Sequence, residues 1–220
     1  MIHKKWIATI SLIVIFLDFF KLAHAADTDK FRYPFYVGVA GGYASTTWGA
    51  LVPSANKSNS AMALSTPVNV NEGGLMGGVF AGYEFIPQFA VELNYTKYPQ
   101  ATLTFSKKSL FSYRNNHSTG FTTNTENVGL VGKFMVIIPC TTIRAFSSVG
   151  IAGIHRADVL ANEWRPSPTF NVGINYNITP HVMAELAANY TGGAGEAELT
   201  PTDDYIPFLY GVYLRLGYRF

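Results

Sequence analysis

The last thirteen residues of the chain alternate without a break. Phe208, Tyr210, Val212, Leu214, Leu216, Tyr218 and Phe220 share one face, and Leu209, Gly211, Tyr213, Arg215, Gly217 and Arg219 the other, which is the two-residue period of a β-strand. In a soluble barrel the apolar face would point inward and leave two glycines in water, where they cost entropy and gain no packing. Turned outward into lipid, the same face needs no partner. An interior just wide enough to be filled by side chains suits glycines and a few paired charges. The pattern predicts a transmembrane β-strand, with aromatics at both headgroup levels.

The same alternation recurs upstream. A first strand is predicted over about 35–43. A hairpin follows in which Val79, Ala81, Tyr83 and Phe85 face out, the chain turns at Ile86-Pro87-Gln88, and Phe89, Val91, Leu93 and Tyr95 face out again. Strands four to seven are predicted over about 127–137, 143–154, 170–178 and 182–190, with short turns at Pro139-Cys140 and Thr179-Pro180. The stretches between, about 49–72, 97–125, 155–168 and 192–206, read as long polar loops, although the alternation of Ala101 to Phe105 extends a strand above the membrane. An internal echo supports the register, because Tyr83, Pro87, Glu92 and Leu93 recur at a constant offset as Tyr176, Pro180, Glu185 and Leu186. Short turns at one end and long loops at the other predict an all-β fold, an eight-stranded antiparallel up-and-down transmembrane β-barrel with both termini periplasmic.

Composition fits this picture. Charged residues are 14% against 15% aromatic, with 20 glycines, whereas a soluble chain carries roughly 25% charged residues. Residues 1–25 read as a secretory signal, with Lys4 and Lys5 before an apolar run from Trp6 to Leu17 and Ala23-His24-Ala25 before a cleavage point at Ala26. The run is shorter than the roughly 20 apolar residues of a helical span. The chain thus divides into a signal, 1–25, and a barrel domain, 26–220. Lys4, Lys5 and Lys21 against Asp18 account for the formal charge of +2, so the remainder is neutral and has no basic field for nucleic acid. One cysteine, Cys140, excludes an internal disulfide, and no zinc or cofactor spacing is present.

Two stretches carry a resemblance. The ending Tyr218-Arg219-Phe220 resembles the C-terminal assembly signal of Gram-negative outer-membrane barrels. Phe35-Tyr36-Val37-Gly38-Val39-Ala40-Gly41-Gly42-Tyr43 resembles the opening strand of the OmpA-like barrel family. The resemblance covers about 33–220. It implies a cell outer membrane location, contact with outer-membrane lipid and lipopolysaccharide, and handling by periplasmic chaperones and the assembly machinery, with Tyr218 and Phe220 as the assembly signal. It also implies a non-enzymatic structural or surface role, in which four extracellular loops meet lipopolysaccharide or host surface molecules. A small channel like the OmpW-like barrels, which end similarly, is the alternative. A lipid A-modifying enzyme is third, because His117 and Ser118 are adjacent and point to opposite faces of a strand, while His155 and His181 have no hydroxyl and carboxylate at a useful spacing.

Two groups of residues remain as candidates for chemistry. In the predicted register Glu84, Glu92 and Glu185 face the lumen with Lys133, Arg144 and Arg215. Buried charges need partners, so a network that plugs the barrel is expected, with an ion pathway as the alternative. The second long loop carries Lys107, Lys108 and Arg114 with Phe111 and Tyr113 interleaved, a candidate grip on phosphate or polyanion. The fourth carries Glu196, Glu198, Asp203 and Asp204.

Overall fold

In the computed structural model, which describes residues 33–53, 64–194 and 205–220, ten strands, one 3-10 turn and one short α-helix follow in the order β1 (Phe35–Thr46), the 3-10 turn (Trp48–Leu51), β2 (Asn69–Asn71), β3 (Gly74–Ile86), β4 (Phe89–Lys97), β5 (Ala101–Thr104), α1 (Leu110–Arg114), β6 (Gly120–Ile137), β7 (Ile143–Ala157), β8 (Asn162–Asn177), β9 (Val182–Thr191) and β10 (Leu209–Arg219). Eight of them pair antiparallel in the cyclic order β1-β3-β4-β6-β7-β8-β9-β10, closed by β10 against β1 from Tyr36↔Arg219 to Thr46↔Leu209. Closure leaves the wall without an edge, which hydrocarbon requires. The proposed signal and its cleavage point, and the four acidic residues of the fourth loop, lie outside the described residues.

Alternation puts the apolar side chains on the outside. Val79, Leu130, Ile151, Leu186 and Leu214 are exposed, while Glu92, Lys133, Arg144 and Glu185 are buried. Bulky lumen residues sit where the inner face is glycine. A Cβ at Gly82 would lie 2.3 Å from Tyr36 Cζ, and one at Gly38 2.5 Å from Phe80 Cζ, so these glycines give the rings their space across the barrel. At one end Phe220 N–H donates to Phe35 O at 2.9 Å, beside the short turns after β3, β6 and β8. That is the periplasmic end in barrels of this architecture.

Three expectations about the opposite end are corrected. β6 starts at Gly120 and β7 runs to Ala157, both beyond the predicted strands. β8 starts at Asn162, so the predicted third loop, 155–168, is mostly strand, closed by a turn over 158–161 in which the Asp158 carboxylate accepts from Leu160 N and Ala161 N. Pro166 and Pro168 fall inside β8, and β9 pairs with β8 only from Thr169 onward. Pro168 O accepts from Gly192 N, so the missing proline N–H groups face the side where no strand runs, the position a sheet edge tolerates. The second loop, finally, is ordered: β5 pairs with β6 and β2 with β5, a small sheet standing above the barrel.

Candidate functional sites in the lumen and the extracellular cap

The lumen holds two layers of ion pairs. In the lower one Glu84 is shared by two guanidinium groups, Arg144 Nη1 on Oε1 at 2.7 Å and Arg219 Nη2 on Oε2 at 2.8 Å. Asn175 accepts from Arg144 Nε and Nη2 and donates to Glu185 Oε1 at 2.8 Å, which ties this layer to the next. In the upper layer Lys133 contacts Glu185 and lies 3.5 Å from Glu92, while Arg215 binds Glu92 Oε1 at 2.5 Å and Glu185 Oε2 at 3.0 Å. Tyr36 donates to Glu92, and aromatic faces cover the cations, Phe146 under Lys133 at 4.1 Å and Phe80 under Arg215 at 3.6 Å. Each charge lies on an inward position of its strand, and all are at most 5% exposed.

The lumen charges do not balance as expected. Arg219 shares the face of Arg215 in the sequence pattern but was left out of the expected balance. Among the described residues Lys133, Arg144, Arg215 and Arg219 face Glu84, Glu92 and Glu185 in the layers, and Arg219 Nε is buried without a partner. The lower layer thus carries surplus positive charge.

Above the upper layer lies a cavity of about 20 Å³, lined by Glu92 and Arg215 below and by Asn94, Asn127, Asn171 and Asn189 around it, which is room for one or two waters. Tyr98 OH accepts from Asn189 and Tyr213 OH donates to Asn171. Further up the lumen closes on Ile154, Ile206 and Leu209, all buried.

The extracellular end is a packed cap. Trp48, Leu51, Ala101, Leu103, Phe105, Phe111, Phe121 and Tyr205 form its apolar core. Phe111 was expected to be a surface contact and is instead 7% exposed, stacked on Phe105 at 4.5 Å. The helix α1, capped by Ser109 Oγ on Ser112 N, turns it inward. Lys107, Lys108, Tyr113 and Arg114 are exposed, so the basic residues and one ring remain outside. The cap is tied to the barrel by residues the sequence did not single out. Arg156, fully buried, binds Asp158 and Tyr205 O and lies over the Trp48 ring at 4.8 Å. Glu72 accepts from Thr46 Oγ1, Trp48 N and Gly49 N. Neither shows in the alternation, because both serve the irregular ends of strands.

Among the described histidines, His117 has φ 62° in an exposed turn and its neighbour Ser118 donates to Gly120 O. His155 meets Asn162 and Glu126, and His181 Nδ1 contacts Arg219 O. No group of three metal-ligating side chains gathers among the described residues. At the periplasmic rim Tyr218 and Phe220 both face outward, rings 5.1 Å apart, with Phe220 5.9 Å from Phe35 and His181 stacked on Tyr218.

A closed antiparallel barrel with an apolar outer band and ion pairs inside defines a transmembrane β-barrel protein. The OmpA-like transmembrane domain family model matches residues 32–220, and the chain belongs to that family and resides in the outer membrane. No curated protein sequence matches it. Among solved structures, Neisserial surface protein A is 13% identical with a TM-score of 0.50, over 84% of this chain and 97% of that one. OprG from Pseudomonas aeruginosa is 11% identical, TM-score 0.49, over 86% and 96%. The N-terminal β-barrel domain of Pseudomonas aeruginosa OprF is 11% identical, TM-score 0.48, over 86% and 98%.

Proposed function

We propose that this is a non-enzymatic surface protein of the outer membrane, structural or adhesive, acting through its extracellular end on lipopolysaccharide or host surface molecules. The observation that supports this reading is the contrast between a lumen filled by ion pairs and apolar closure and a cap built into an ordered, solvent-facing platform. A filled lumen spends its polar groups on one another, whereas loop residues such as Lys107, Lys108 and Tyr113 are exposed where a partner can reach them. The test replaces the cap segment 99–119 with a short turn and measures adhesion of cells displaying the barrel. Adhesion that survives the replacement sinks the reading.

A second reading, a small channel for ions or solutes, is favoured by the polar cavity above Glu92 and Arg215. Conductance of the purified barrel in planar bilayers decides between them, since the first reading expects none above leak. Processing before Ala26, and delivery by periplasmic chaperones to an assembly machinery that reads Tyr218 and Phe220, complete the proposal.

A further inference from the structure

The β7–β8 hairpin is the least supported part of the wall. Above Thr169, among the described residues, β8 pairs with β7 alone, because β9 ends against it there. Register places His155 near the turn of this hairpin, in an outward row with Lys97 on β4, Glu126 on β6 and Trp164 on β8. Two rows toward the membrane centre the same faces carry Leu93, Leu130 and Ile151. Above the row β6 continues outward as a wall of Asn124 and Thr122, so the row stands where lipid gives way to water. His155 Nε2 lies 2.9 Å from Asn162 Oδ1, and the ring stacks on Trp164 with centroids 4.6 Å and planes 9° apart. His155 Nδ1 is 3.9 Å from one Glu126 oxygen and Lys97 Nζ is 3.9 Å from the other, while Tyr95 faces the same carboxylate. The charged neighbours in sequence pair with one another, Arg156 with Asp158 and Arg165 with Glu163.

These distances describe a clamp standing open. With Asn162 Oδ1 as its acceptor, a neutral ring carries its one proton on Nε2 and turns the Nδ1 lone pair toward Glu126. Two acceptors face to face repel, and their separation is well beyond a hydrogen bond. A proton added at Nδ1 reverses the sign of that contact. The imidazolium donates to Glu126 while still donating to Asn162, and charge-assisted bonds of this kind close to about 2.7 to 2.9 Å. The same proton places a cation on the indole face of Trp164. Lys97, the competing cation, is 61% exposed at its side chain, so it holds the carboxylate only loosely. Histidine is the side chain that changes charge between pH 5 and 8. The His155 and Glu126 side chains are 22% and 27% exposed, which admits protons while shielding the pair from full screening by salt.

We propose that His155 is an acid-operated clamp on the extracellular hairpin. In acid its imidazolium draws Glu126 onto Nδ1 and stacks on Trp164, fastening β8 through β7 to β6; as the pH rises the clamp opens. The inference goes beyond the surface-protein reading and needs from it only that this end is outside, where the pH of the surroundings acts on it. The purified barrel, folded in detergent, is titrated from pH 8 to pH 5 while Trp164 emission is read as the difference from Trp164→Phe. A stacked imidazolium quenches indole, so emission should fall in a single step. Amide exchange in the hairpin, corrected for its intrinsic pH dependence, should slow roughly tenfold over the same step, the worth of one charged contact near a surface. His155→Gln retains a donor for Asn162 and should abolish both changes. Glu126→Gln should keep the quenching step and move it about one unit toward lower pH, since a neutral amide no longer favours the imidazolium. Emission and exchange that stay level from pH 8 to pH 5, a step that persists in His155→Gln, or a step unmoved by Glu126→Gln overturns the proposal.

Discussion

The two halves of β6 present opposite outer faces. In its lower half the outward side chains include Leu130 and Phe134 and the inward ones Lys133; in its upper half the outward ones are Thr122 and Asn124, and the inward ones are Phe121, Thr123 and Thr125. The strand and its period are continuous while its partner passes from β4 to β5 and the surrounding solvent changes. Lipid solvates the apolar face and pushes polar groups inward, where they must pair. Water above the membrane restores the order of a soluble protein, with an apolar interior that gains from burial. The crossover falls near Glu126, where Lys97, His155 and Trp164 gather. The barrel is thus held by complementary charge and closure, the cap by packing.

That contrast is broken most directly at Glu84. Glu84→Gln leaves Arg144 and Arg219 facing each other in a buried layer already carrying surplus positive charge, and should destabilise the barrel by about 3 to 5 kcal/mol. Urea unfolding in detergent, followed by the loss of the heat-modifiable folded band, measures it. Arg144→Met should cost clearly less, because Arg219 stays on Glu84 as a neutral pair. Equal costs for the two would mean that water enters the lumen and screens the surplus charge.

The cap should answer to volume instead. Leu103 is fully buried, and Leu103→Ala should cost about 2 to 4 kcal/mol within the cap through lost contacts and a cavity. Because the cap is a separate core joined to the barrel through Arg156 and Glu72, hydrogen exchange should quicken in β2 and β5 while the barrel's unfolding midpoint stays. A lowered midpoint would mean one cooperative unit and erase the distinction between the two regions.

The sequence made these regions unequally legible. Where lipid faces the wall, alternation is strict, and it placed the eight barrel strands and the inward side of every lumen charge. Above the membrane the outward face becomes Asn and Thr and the inward face mixes Phe121 with Thr123 and Thr125, so the contrast that marked each strand fades, and polar content was read as loop. Pro166 and Pro168 are accommodated in β8 because they lie on the stretch that lacks a β9 partner. Phe111 was placed outside because charges surround it in sequence, although a single helical turn was enough to bury it. Arg156, Asp158 and Glu72 act through contacts between distant strand ends, which no local period encodes.

The rim residue Phe220 separates folding in the cell from stability of the folded barrel. Its ring is half exposed to the bilayer and packs on Phe35 and Tyr218, so Phe220→Asp should cost the folded barrel at most about 1.5 to 3 kcal/mol. If Tyr218 and Phe220 are read during assembly, the amount inserted in cells should fall much further than that, with the chain recovered in the periplasm or degraded. Comparing inserted protein in cells with refolding into detergent in vitro gives both numbers, and normal insertion in cells would remove the assembly role.

The smallest effect is expected at the crossover itself. Lys97 is 61% exposed at its side chain and only 3.9 Å from Glu126, a loose pair of the kind worth about 1 kcal/mol or less. Lys97→Met should therefore leave unfolding in detergent almost unchanged, and adding salt should change it little further, since screening removes what small attraction exists. A large loss of stability in detergent would show that the row is a structural brace between β4 and β6, and the boundary between the charge-held and the packing-held halves of the molecule would then lie higher, in the Asn and Thr wall.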